Sequence, residues 1–373
     1  MNKKFWAATF TLTGTIIGAG ILGLPYIFAR SGFLIGLFWL LFLGAIMTYT
    51  NLCLGEITLR TEGRHQLAGY AEKYLGKWGK RIMFFAMIFG IYSALLAYLI
   101  GEGESLAQIL PGGINPMIIG ISFWFLMTLI LREGLRGIKK VETWGVIAII
   151  ILILGITIVF FPRINFQNLT YSNPERFTLP IGIVLFSLLG FTSIPELRIE
   201  IQGQEKLLKK AILVGSLIPI GLYVIFTAVF VGVLGLKVTE VATLSFGPIV
   251  TLLGVFTMMT AFIVLSYSLK DAFRYDLKTP RSLTFLFSSL VPLALYILAV
   301  SLPNIGFAEI LGIGGVVSGG LTGIMILLVC KKAKDTARRK KKPEINMQLN
   351  WIIIALLTII FIGGIILEII RGI

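Results

Sequence analysis

The stretch TLTGTIIGAGILGLPYIFA at residues 11–29 decides how the chain is read. It is long and apolar enough to enter a bilayer. Yet Gly18, Ala19, Gly20, Gly23 and Pro25 are poor material for an unbroken helix. Glycine costs about 1 kcal/mol in a helix interior, and proline removes a backbone donor. At membrane depth, main chain released from helical bonding is tolerated only where protein buries it or where it lines a cavity. The stretch is therefore a candidate binding site made of backbone. The alternative is close helix packing through small residues.

Working outward, 57% of the 373 residues are hydrophobic and only 14% are charged, and mean hydropathy is +0.93. Soluble domains carry about 25% charged residues, so the composition describes an integral membrane protein organised as a single unit. The first apolar segment is too long for a secretory signal and lacks its cleavage pattern, so it is expected to be retained. Two cysteines, Cys53 and Cys330, are expected to be free and reduced. A single histidine, His65, argues against histidine catalysis or a histidine metal site.

Eleven apolar spans are predicted, at 5–29, 33–58, 81–110, 114–131, 141–161, 178–199, 208–236, 246–271, 281–301, 305–330 and 350–371. The gaps between them alternate sharply in charge. Lys3–Lys4 together with 60–81, 132–140, 198–210, 270–281 and 331–342 hold 28 Lys/Arg, whereas the opposite set holds 5. Positive loops stay in the cytosol. The expected protein is thus a multi-pass cell-membrane protein with its N-terminus cytoplasmic and its C-terminus outside. That accounting places the net charge of +15 on membrane flanks and leaves no reason to invoke nucleic acid. The bilayer is the expected partner, and KKAKDTARRKKKP at 331–343 reads as a topology anchor or a site for anionic headgroups. Residues 67–80 repeat apolar and aromatic positions at helical spacing. They predict a short interfacial helix or the start of the third span. Asn168-Leu-Thr170 matches a glycosylation sequon.

A second interruption falls in TLPIGIVLFSLLGFTSIPELRI at 178–199, where Gly190, Thr192, Ser193 and Pro195 break an apolar helix. The first and sixth spans are then both discontinuous. Five spans per half would make the halves inverted copies, and paired broken segments at matching positions mark transporter sites. The reading divides the chain into a first repeat at 1–161, a second at 178–330 and an extra helix at 350–371.

GTIIGAGILGLPYIFARSGF at 14–33 resembles the first helix of amino-acid permeases of the aromatic and hydroxy amino-acid type. These belong to the amino acid–polyamine–cation superfamily. The likeness continues through NLCLGE at 51–56, LLAYLIGEGESL at 95–106, LLGFTSIP at 188–195 and SLKDAF at 268–273. The resemblance implies an all-α fold with the five-plus-five inverted repeat of the leucine-transporter type. It also implies first and sixth helices that unwind around an amino acid. The candidate substrate-binding residues are Thr15, Gly18, Ala19, Gly20, Ile21, Tyr98, Phe186, Gly190, Phe191, Thr192 and Ser193. Half-helix N-termini favour a carboxylate, and opposing carbonyls favour an ammonium. With no lysine or arginine at mid-membrane, a neutral amino acid is expected, and the aromatic preference comes from the resemblance alone.

Glu56, Glu102, Glu104 and Glu196 lie inside predicted spans, where ionisable groups are usually functional. Glu56 is read as a partner of Arg60 or a gating residue, and Glu196 as part of the inner gate or the interface. Glu102 shares a helical stripe with Tyr98 and Ser105, so it is preferred over Glu104 as the inward-facing group. Sodium sites in the resembled fold use hydroxyls on the eighth helix. Here Thr257 and Thr260 are available, but Ala261 stands where a second hydroxyl is expected. The coupling ion is therefore H+ in preference to Na+, with no other cofactor and no metal. Three functions compete: an ion-coupled amino-acid symporter, a permease-like sensor or germinant-type receptor without net transport, and an intramembrane enzyme. The last lacks HExxH, a nucleophile–histidine pair and a metal cluster, and the chain is read as no enzyme.

Overall fold

The computed structural model describes residues 2–133, 138–302, 305–336 and 343–372. The basic segments at 134–137 and 337–342, which carry part of the topology argument and of the anionic-headgroup reading, lie outside the described residues. Within them the fold is entirely helical, with one isolated bridge between Gly32 and Ser172. In chain order the helices used below are α1 Lys3–Ile16, α2 Gly20–Ser31, α3 Phe33–Arg60, α4 Leu67–Ile109, α5 Pro116–Glu133, α6 Ile138–Phe160 and α7 Ile181–Ser187. There follow α8 Ile194–Glu200, α9 Leu208–Leu234, α10 Pro248–Asp271, α11 Arg281–Phe285, α12 Val291–Ser301, α13 Phe307–Gly314, α14 Gly320–Thr336 and α15 Trp351–Gly372.

Nine helical stretches among the described residues are long and apolar enough to cross a bilayer, and the bent pair α1–α2 makes ten. The fourth expected span is a shorter apolar helix, Pro116–Leu131. At about 1.5 Å per residue it falls short of a core about 30 Å thick. Such a segment must thin the bilayer or lean on its neighbours.

Local chemistry explains the interruptions. Helix α1 ends at Ile16, α2 begins at Gly20, and the two axes bend by 54°. Pro25 is not part of that break, because it sits inside α2. In the second interruption the helix stops at Ser187 and restarts at Ile194 after a tight turn, Phe191–Ser193. There Pro195 occupies the first turn of α8, where a missing donor costs nothing. The interfacial-helix reading of 67–80 is resolved by Gly76, whose φ of 73° breaks α4 near its start. No atom lies within 4 Å of a Cβ built there, so glycine is needed for its backbone angle rather than for space.

Helix α4 runs through the middle of the bundle and packs on α5, α10, α13 and α14, while α1 and α2 both pack on α9. Among the described residues three five-residue π-helical turns occur, at Ala272–Asp276, Leu286–Leu290 and Gly315–Gly319. Such turns are rare and frequent at functional sites. Cys53 and Cys330 are free, as expected, and both are buried. Asn168 of the sequon donates its side-chain amide to the Gly232 carbonyl at 2.9 Å. Its nitrogen is thus engaged in packing.

Candidate functional site

The two breaks face each other reciprocally. A Cβ at Gly20, the start of α2, would lie 2.5 Å from Ser187 Cα, the end of α7. A Cβ at Gly190, in the second break, would lie 2.7 Å from the Ile16 side chain, the end of α1. Each half-helix end thus rests on the other break, and only a residue without a side chain permits the approach. One hydroxyl ties the two together: Tyr223 on α9 donates to the Ile16 carbonyl at 2.7 Å and to the Ser187 carbonyl at 2.9 Å. Those carbonyls end α1 and α7; that of Ile16 also accepts the Gly18 N–H at 2.9 Å, while no further helical turn supplies a donor to that of Ser187.

Beside this junction lies a cavity of about 110 Å³, several times the space that one water needs. From the breaks it is lined by Thr15, Ile16, Gly18, Gly20, Phe186, Leu189, Phe191 and Thr192. Helix α4 adds Leu67, Met87, Gly90, Ile91, Ala94 and Tyr98, α10 adds Leu265, and Ser318 and Thr322 come from the π turn and α14. Every lining residue is uncharged. The Ala19 N–H approaches the Tyr98 hydroxyl at 3.5 Å, and Thr192 is exposed.

Of the residues expected from sequence, Thr15, Gly18, Gly20, Tyr98, Phe186, Phe191 and Thr192 come together here. Ala19, Ile21, Gly190 and Ser193 do not line the cavity. Ala19 and Ile21 are buried, Gly190 packs on Ile16 and Leu12, and Ser193 turns its hydroxyl to the Gly190 carbonyl at 2.9 Å. Sequence reasoning missed Tyr223, Ser318 and Thr322. A tyrosine in the middle of an apolar span was a usable signal, because its hydroxyl must find a partner. Ser318 and Thr322 offered none, since only the tertiary fold brings them near residue 18.

The carboxylates separate into different environments. Glu102 is fully buried, and neither of its oxygens has a hydrogen-bond partner among the described residues. The Ser105 hydroxyl, three positions on along the same face, is likewise buried and unpartnered. Glu104 is only half-buried. Glu56 lies away from the cavity and is wholly committed elsewhere. It pairs with Arg60 at 2.7 Å and Lys334 at 2.8 Å, and accepts the Met347 N–H at 2.7 Å. This clamp ties α3 to α14 and to the segment before α15. Glu196 is half-buried on α8 and does not line the cavity. The neighbouring Arg198 anchors α8 by donating to the Thr61 carbonyl at 2.9 Å. Thr257 and Thr260 also stay outside the cavity, each donating to carbonyls of its own helix at 2.8–3.0 Å.

Two broken helices meeting around a small uncharged cavity, inside a bundle of apolar helices, are the features of an integral membrane α-helical protein. Residues 1–261 match the tryptophan/tyrosine permease family, and the chain belongs to that family. It is 29% identical over 228 residues to "Tyrosine-specific transport system 1" of Haemophilus influenzae, covering 61% of this chain. The match spans 57% of that relative's own length. It is 23% identical over 372 residues to "Glutamine transporter 2" of Aliivibrio fischeri, covering 94% of this chain and 93% of the relative. A weaker likeness, 26% over 164 residues, reaches "Vacuolar amino acid transporter 2" of Saccharomyces cerevisiae, covering 40% of this chain and 34% of that protein.

Proposed function

We propose that this chain imports a neutral amino acid by ion-coupled symport, with the cavity between the two breaks as its substrate site. The observation that carries this reading is the reciprocal contact of the breaks, Gly20 on Ser187 and Gly190 on Ile16. Such reciprocity is what two inverted repeats produce when their first helices cross at a shared centre. The proposed architecture has eleven spans, counting the short Pro116–Leu131 helix and taking α1–α2 and α7–α8 as one span each. Residues 1–161 and 178–330 form inverted five-span halves of the leucine-transporter type, and α15 is an addition. The N-terminus is cytoplasmic, the C-terminus is outside, and the membrane is that of the cell.

The absence of charge among the lining residues leaves a zwitterion to be held by main chain. Its carboxylate meets the N-terminal end of α2 and its ammonium the carbonyls that end the opposing half-helix. Phe186, Phe191, Met87 and Tyr98 favour an apolar or aromatic side chain. The relatives' names, tyrosine and glutamine, also describe neutral substrates.

A proton is the proposed coupling ion, and Glu102 its carrier. A fully buried carboxyl group with no partner is costly when ionised. Ala261 stands where a second sodium-ligating hydroxyl is expected, and neither Thr257 nor Thr260 lines the cavity. Proteoliposome uptake tests this directly, with a pH gradient alone set beside a sodium gradient at equal pH. Wild type should accumulate amino acid on the pH gradient, while Glu102→Gln should bind substrate yet lose uphill uptake. Accumulation driven only by sodium would refute the proton reading.

A further inference from the structure

A second, roomier cavity in the described structure lies away from the substrate site. It has a volume of about 500 Å³ and sits where α5, α10, α11 and the second π turn converge. Lys270, Arg274 and Arg281 line it, and among the described residues no carboxylate does. Hydroxyl residues make up much of the remaining wall, among them Ser266, Ser282 and Ser288. Asp271 is not part of the lining, although its carboxylate lies within electrostatic reach of Lys270 and Arg274. The site is also structurally marked. Two of the three described π turns, Ala272–Asp276 and Leu286–Leu290, border it and place Arg274 and Ser288 in its wall. The third contributes Ser318 to the substrate cavity.

Three cations and several hydroxyls without a carboxylate form a receptor for a phosphate group: guanidinium forks pair with its oxygens, and hydroxyls donate to the rest. The surroundings select the kind of phosphate. Leu283, Leu286 and Leu290, on the same helical segment as Arg281 and Ser288, are 42%, 38% and 38% exposed. An apolar face therefore continues from the polar cavity, suited to acyl chains. The segment 270–281 also belongs to the positively charged set of loops, the side on which anionic lipids concentrate.

We propose that this cavity binds the phosphate headgroup of an anionic phospholipid, seated between α10 and the α11–α12 segment. The occupied site would bridge those elements on the basic side of the bundle, independently of any amino acid.

Native mass spectrometry of the detergent-purified full chain tests this, with phosphatidylglycerol, phosphatidylcholine and inorganic phosphate titrated separately and no amino acid present. Phosphatidylglycerol should remain bound at concentrations where phosphatidylcholine does not. Each cation removed should weaken it about fivefold, so Arg281→Gln costs about one such step and Lys270→Gln with Arg281→Gln about two. Arg281 is exposed, so its single variant keeps the test readable if the double variant is poorly folded. Lys73→Gln with Lys77→Gln, elsewhere in the basic loops, should leave binding unchanged. The proposal is overturned if Arg281→Gln binds phosphatidylglycerol as wild type does, or if the Lys73/Lys77 variant loses as much. It is equally overturned if millimolar inorganic phosphate displaces the lipid, which would make the cavity a free-anion site. Because the readout uses no substrate, failure here leaves the transport reading untouched, and the reverse holds too.

Discussion

Gly20→Ala adds one methyl group at the point where the two broken helices touch. Its Cβ would lie 2.5 Å from Ser187 Cα, 2.6 Å from Ser187 Cβ and 3.0 Å from Ser187 N, where ordinary contact begins at 3.4 Å. Two of those three atoms are backbone, so no rotamer change relieves the clash and α2 must separate from α7. Overpacking of this kind costs about 1–3 kcal/mol. If that cost falls on the arrangement that binds substrate, affinity drops about 5- to 150-fold. Gly190→Ala should be milder, because its Cβ meets the flexible ends of Ile16 and Leu12 at 2.7 and 2.9 Å. Gly221→Ala is the control: it lies inside α9 with nothing within 4 Å of its Cβ, and alanine is the better helix former by about 1 kcal/mol. The assay is equilibrium binding of radiolabelled tyrosine and glutamine to purified protein, with a monodispersity check on each variant. The expected order of loss is Gly20, then Gly190, then no loss at Gly221. A folded Gly20→Ala protein that binds either amino acid with wild-type affinity would refute the claim that this contact shapes the site.

Other outcomes follow from single contacts. Tyr223→Phe removes the donor shared by the Ile16 and Ser187 carbonyls, which should cost about 1–3 kcal/mol; a lowered unfolding temperature together with weaker amino-acid binding is expected, and neither changing would refute the bridge. Glu240 lies in the loop before α10, where burial raises its carboxyl pKa above the usual range, partly opposed by the N–H of Ala308 at 3.1 Å. A carboxyl raised in the folded state contributes stability at low pH that is lost as pH climbs through its folded value. Glu240→Gln should therefore be more stable than wild type near neutrality and equal to it below about pH 4, as read from thermal unfolding across pH. For topology, Glu175→Cys should react with an impermeant thiol reagent added outside and Lys332→Cys should not. Both native residues are exposed and the native cysteines are buried, so equal labelling of the two would refute the proposed orientation.

The interruptions were legible because their cause is local. Glycine and proline act through their own backbones, and Gly18–Pro25 and Gly190–Pro195 announce broken helices without any tertiary information. The role of each proline was less legible. Pro25 and Pro195 look alike in sequence, yet one lies within α2 and the other opens α8. The difference is where the preceding glycines let the chain turn. Glu102 was readable as inward-facing from its stripe with Tyr98 and Ser105, because helical spacing fixes which side chains share a face. Glu56 was only half readable. Arg60 sits one turn away and was an obvious partner, whereas Lys334 and the Met347 N–H are brought in by the fold from nearly 300 positions along the chain.

The same division explains why the basic segment at 270–281 carried two meanings. Counted along the chain, Lys270, Arg274 and Arg281 belong to the positive set on which the proposed orientation rests. Folded, they converge with hydroxyls from α5 and from the segment beyond α11, in a wall bordered by the π turns at Ala272–Asp276 and Leu286–Leu290. An extra residue in a helical turn rotates every side chain beyond it, and no composition or periodicity count detects that rotation. The reciprocity of Gly20 and Gly190 is of the same kind: each glycine signals a break by itself, but only the packed structure sets each against the end of the other's helix. A local device used twice became a shared centre when the two breaks were brought face to face.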